Sequence, residues 1–280
     1  MLLTLSIKAV WNLPQFSGRT SGPLDLPRWA REDLGVHGLT LQTSLFSGWE
    51  AARFDALRDA ADKAGAPCLI LVEDAPLALA DQDPAKADAA VERAERVLRV
   101  ASRLGCSSVA FSIGDQGNKA TVESLTPRLK LVLGRAERME LNLLLAPAPG
   151  ITENPEKLTG VIRKVGGFRI GSFPDFEAAS KSPDPVGYLR SLAPYASGVC
   201  ASFIGFDAKG QHKAYDVASY LDAIESVGYE AALTLEFRGK GDPVAGLRSA
   251  KSLIEARLAD DVPAEDDAET IDVGEEDPDE

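Results

Sequence analysis

Residues 233–243, LTLEFRGKGDP, set one carboxylate, Glu236, inside an apolar run, with Arg238 two residues further on. Side chains alternate along a strand, so Thr234, Glu236 and Arg238 share one side while Leu233, Leu235 and Phe237 share the other. A carboxylate turned toward a buried face is costly unless it is ion-paired, hydrogen-bonded or bound to metal. Arg238, with its planar fork of donors, is the partner expected for Glu236 or for an anionic substrate. Other residues of suitable chemistry are Asp175 in FPDFEAA, Glu73 and Asp74 in LVEDAP, Lys8 near the N-terminus, and His212 in DAKGQHKAYD. Such carboxylates and imidazoles move protons or ligate metals, and such cations orient substrates. The loop RGKGDP (238–243) has two glycines and two basic residues ahead of a helix, a weak phosphate-site pattern.

These residues need a frame, and the hydrophobic pattern supplies one. Short apolar runs occur at 2–9, 38–46, 68–74, 108–114, 141–146, 168–173, 198–206 and 231–237. Several are apolar throughout, as parallel strands covered on both faces must be. Amphipathic stretches follow them at 26–34, 52–65, 85–105, 125–139, 154–166, 184–196, 216–228 and 242–259. Asp-Pro and Asn-Pro pairs open several of these, and Gly closes several. Strict alternation of eight strands and eight helices predicts an α/β fold, a single (β/α)8 TIM barrel over residues 1–259. An open doubly wound sheet is the alternative, but no G-x-G-x-x-G opens any helix.

Active sites in such barrels lie at the carboxyl ends of the strands. Those ends offer Lys8 and Asn12, Gln42 and Thr43, Glu73 and Asp74, Ser112 and Asp115, then Asp175, Asp207 with Lys209 and His212, and Glu236 with Arg238. The fifth end, around Ala146, has no polar side chain. His37 precedes the second strand and is expected to be structural, and Asp74, Asp115 and Asp207 are expected to cap or pair locally.

The 280 residues carry a formal charge of −13, unevenly placed. Residues 260–280 contain twelve Asp and Glu and no Lys or Arg, so the preceding chain is nearly neutral. That segment is expected to be a disordered acidic tail, with a protein partner as one use for it. A near-neutral body without a basic face gives no drive toward nucleic acid or a membrane surface. The N-terminus lacks the pattern of a secretory signal, and Cys68, Cys106 and Cys200 are odd in number and widely spaced, which suits buried thiols in the cytoplasm.

Two segments, VASYLDAIESVGYEAALTLEF (217–237) with its following GDP and FRIGSFPDFEAA (168–179), resemble the xylose isomerase-like TIM-barrel family of sugar isomerases, epimerases and endonuclease IV-type enzymes. The resemblance implies a divalent metal (Mn, Mg, Co or Zn) held by acids and a histidine at the ends of strands five to eight. Carried over, the strand-six Asp is Asp175 and the strand-eight Glu is Glu236. At strand five Ala146 stands where a Glu is expected, and at strand seven Ser202 and Ile204 stand where a His is expected. The resemblance thus implies an incomplete metal site, with the ion weakly held or absent, and a small carbohydrate or polyol as ligand. One reading is a divergent isomerase or epimerase moving a proton beside a carbonyl. There Glu236 acts as base, Asp175 assists, Arg238 and Lys8 bind substrate, and Glu73 or His212 replaces a missing group. The other is a non-catalytic barrel that keeps a ligand pocket or serves as an interaction module. Homo-oligomers are compatible with both.

Overall fold

The computed structural model describes residues 1–16, 22–114 and 122–259. Asp115 and the acidic segment 260–280 lie outside the described residues. Eight parallel strands run β1 (Leu2–Ser6), β2 (Leu39–Gln42), β3 (Cys68–Val72), β4 (Ser108–Ser112), β5 (Asn142–Ala146), β6 (Ile170–Ser172), β7 (Gly198–Phe203) and β8 (Ala232–Phe237). They pair in the order β6-β5-β4-β3-β2-β1-β8-β7. Two isolated parallel bridges, Ser172 with Ala196 and Asp175 with Cys200, join the ends of that order and close the TIM barrel. The β6–β7 seam is therefore its least regular part.

Helices cover the outside: α1 (Gly22–Glu32), α2 (Ala51–Ala64), α3 (Pro84–Leu104), α4 (Val122–Arg138), α5 (Pro155–Val165), α6 (Phe176–Ser180), α7 (Pro185–Leu192), α8 (Val217–Glu225) and α9 (Pro243–Ala259). Their starts follow local chemistry. Asp83, Asn154, Asp184 and Asp216 accept backbone N–H groups of the first turns of α3, α5, α7 and α8. Gly65 and Gly105 end α2 and α3 in the left-handed region (φ 68° and 75°).

Three differences from the sequence expectations affect the site. The first strand stops at Ser6, and a 3-10 turn over Ile7–Ala9 carries Lys8 to the barrel rim. The helix expected over 184–196 ends at Leu192 in a 3-10 turn containing Pro194. The helix α6 was not anticipated: its five residues are too few to show a period, and the side chain of Asp175 starts it by accepting the Ala178 N–H.

Inside the barrel, the hydroxyls of Thr4, Thr40 and Thr234 form a buried chain with 3.0 Å links. Ile70, Ala110, Leu144, Phe173 and Cys200 make an apolar cluster of their own, against which Val72 and Ala146 pack. Val72, Ala146, Phe173 and Cys200 also line the cavity at the carboxyl ends of the strands, giving it an apolar floor.

Candidate functional site

That cavity has a volume of about 610 Å³. Five of the six residues proposed from the sequence line it: Lys8, Glu73, Asp175, Glu236 and Arg238. Arg238 organises its β6–β8 side. The Arg238 Nε donates to Glu236 Oε1 (2.7 Å), Nη2 to Asp175 Oδ2 (2.6 Å), and Nη1 to Glu177 Oε2 (2.9 Å) and Asp175 Oδ1 (3.2 Å). The Asp175 side chain is only 9% exposed, and that of Arg238 is 33% exposed. One guanidinium thus compensates three carboxylates from two segments of the chain, the start of α6 and the end of β8. Burial works against its charge, yet Cys200, Asp175 and Glu236 hold the guanidinium well above its ordinary pKa. Glu177 is held below its ordinary value by hydrogen bonds from Lys181 and Arg238.

Neighbouring groups fix this cluster. The Ser202 hydroxyl donates to Asp175 Oδ1 (3.2 Å) and accepts the Glu177 N–H (2.9 Å). The Cys200 N–H bonds to Pro174 O across the seam at 2.8 Å. The Cys200 thiol is 3.8 Å from Glu236 Oε2 and 3.6 Å from Arg238 Nη2. Burial, with Asp175 and Glu236 nearby, pushes that thiol far up, so it stays protonated.

On the opposite wall, Lys8 pairs with Asp74 at 3.0 Å, and Asp74 also accepts the Ser44 N–H at 2.9 Å. Glu73, 4% exposed, is satisfied by Arg93 (2.7 Å), the Thr43 hydroxyl (3.1 Å) and the Ala75 N–H (3.2 Å). Glu73 therefore lines the cavity while its oxygens serve local structure. Two buried polar atoms of the lining have no partner: Gln42 Oε1 and the Tyr188 hydroxyl. Both residues are 3% exposed. Gln42 spends its amide N–H on Ser6 Oγ at 2.7 Å. Burial, with Asp175 and Glu153 nearby, raises the Tyr188 phenol, which is neutral and able to donate.

The structure departs from one expectation. His212 is not among the residues lining the cavity. It is 8% exposed and packs against Phe203, Phe206 and Tyr215, and its Nε2 accepts the Ile204 N–H at 3.0 Å. Burial lowers its pKa, so it is a neutral pin of the β7–α8 loop. Of the two parts expected for Arg238, the structure shows the pairing with Glu236, and its donors are committed to protein carboxylates. Asp207 only shapes its own loop, accepting the Lys209 and Gln211 N–H groups. Sequence reasoning passed over Glu177 and Tyr188, which lie on helices, and Cys200, which it treated as inert. An Arg two residues after a strand carboxylate was the one signal of the cluster.

The donor set does not fit a divalent ion. Asp175 and Glu236 already face a guanidinium, Ala146 offers no ligand side chain, the Ser202 hydroxyl is taken by Asp175 and Glu177, and among the described residues no three His, Cys, Asp or Glu are grouped to hold a metal.

No protein-family profile matches the chain, and no curated protein matches it. Solved structures do. An L-ribulose 3-epimerase superposes with a TM-score of 0.78 at 16% identity, covering 93% of this chain and 95% of that one. The 3-keto-D-glucoside 4-epimerase YcjR from E. coli gives 0.72 at 12%, covering 91% and 99%. An IolI protein with a bound zinc atom gives 0.72 at 12%, covering 94% and 100%. The fold is that of the xylose isomerase-like TIM-barrel sugar epimerases and isomerases. At these identities the likeness establishes the fold alone. Among the described residues no helix is long and apolar enough to cross a membrane.

Proposed function

We propose that this barrel binds a small polyhydroxylated, carbohydrate-class ligand in the cavity at the carboxyl ends of its strands, without a metal ion. The observation that carries this is Arg238, whose guanidinium stands among Asp175, Glu177 and Glu236 and supplies the positive charge that such carboxylates require. A cavity of about 610 Å³ with an apolar floor and a few convergent polar groups suits a ligand of monosaccharide size. Gln42 Oε1 and the Tyr188 hydroxyl are buried groups left for ligand hydroxyls to satisfy. The solved neighbours named as sugar epimerases give the same ligand class.

Differential scanning of the protein with chelator present, against a panel of free hexoses, pentoses and cyclitols, tests this. At least one member should raise the melting temperature, and Tyr188→Phe should weaken that response. A response that appears only after Mn²⁺ or Zn²⁺ is added overturns the metal-free reading.

A second reading has one observation behind it. Glu236 Oε2 has only the Cys200 thiol near it, so it is the least satisfied carboxylate oxygen of the cluster and could take a proton beside a ligand carbonyl. Exchange of that carbon-bound hydrogen for solvent deuterium, lost in Glu236→Gln, would support it. Its absence with a bound ketose would leave binding as the function.

A further inference from the structure

The charge of the cavity narrows the ligand beyond its hydroxyl groups. Among the described residues the lining carries six carboxylates and three cations. Each cation is paired with a lining carboxylate: Lys8 with Asp74, Lys181 with Glu177, and Arg238 with Asp175, Glu177 and Glu236. Carboxylates outnumber cations in the lining, so an anion entering here would face a net negative wall.

The unsatisfied groups point the same way. Gln42 Oε1 accepts and does not donate, is 97% buried as a residue, and has no donor. Glu236 Oε2 also accepts only, and its one neighbour is a thiol at 3.8 Å. Tyr188 is 3% exposed and its hydroxyl has no partner. The site is short of positive charge. An ammonium group supplies three donors and one charge.

We propose that the ligand is an amino-substituted polyol whose protonated amine is received by Glu236, with Gln42 and Tyr188 meeting its hydroxyls. This rests on the carbohydrate-class assignment above and makes it more specific. The cavity discriminates against phosphorylated and carboxylated sugars, and Arg238 sets the position of Glu236 while contributing no anion-binding donor.

Calorimetric titration of the full chain in chelator tests this with four matched sets: 2-amino-2-deoxyhexoses, their parent hexoses, the N-acetyl derivatives and the hexose 6-phosphates. An amine on a carboxylate is a charge-assisted bond, so an amino sugar should bind about ten-fold or more tighter than its parent and its N-acetyl form. The phosphates should give no heat. The preference should shrink as NaCl is raised, and Glu236→Gln should reduce it to about two-fold or less. Parent hexoses binding as tightly as amino sugars, or phosphates binding tightest, overturn the inference but leave a carbohydrate pocket standing. If no set binds, the carbohydrate assignment itself falls. A preference indifferent to salt overturns the charge argument even if Glu236→Gln fails to fold.

Discussion

Arg238 gathers Asp175, Glu177 and Glu236 on one guanidinium, so its loss leaves three carboxylates crowded together. Arg238→Ala should destabilise the fold by about 2–3 kcal/mol, discounting for its partial exposure, read from urea denaturation. Acid titration should show the same coupling. Glu177 has a folded pKa below its unfolded value, so its contribution is present at neutral pH and is lost as pH falls below about 4.5 toward the folded pKa. In Arg238→Ala the part of that loss owed to the guanidinium disappears, flattening the acid side of the stability profile. An unchanged slope would mean that the pair does not exist in solution. Of this cluster the sequence displayed Glu236 and Arg238, because a strand fixes the side of i and i+2. It could not display Glu177 or Tyr188, whose approach depends on where α6 and α7 lie across the seam.

The element that matters most is the β6–β7 seam, held by two bridges and by side chains in place of a continuous ladder. Asp175 has two tasks there, capping α6 and pairing with Arg238. Asp175→Asn keeps a capping oxygen and removes the charge, so it should cost about 1–3 kcal/mol and abolish the Arg238 coupling while α6 persists. Gly171 lies at the same seam, where an added Cβ would sit 2.2 Å from the Tyr195 carbonyl oxygen. Gly171→Ala must displace backbone, and its melting temperature should fall well below that of Gly134→Ala, where nothing lies within 4 Å. Equal melting temperatures would mean that the seam is loose. All eight strands were legible because each is a short apolar run. The seam was not, since Phe176–Ser180 is too short to carry a period.

At the scale of the whole molecule, the barrel's last helix buries Gly246, Leu247, Ala250 and Ile254, all well before residue 260. Deleting 260–280 should therefore leave the melting temperature within a few degrees, whereas a large fall would show that this segment packs on the barrel. The fold class followed from strict alternation along the chain. The arrangement of the candidate site did not, because which cation meets Asp175 and Glu236 depends on three-dimensional position. The central claim is that Arg238 takes the part of a metal. It is tested most directly by elemental analysis of the protein dialysed against millimolar Mn²⁺ or Zn²⁺ and then freed of excess ion. The account predicts no stoichiometric metal, and no change in ligand response after chelation. One tightly held ion per chain, lost in Glu236→Gln, would contradict it.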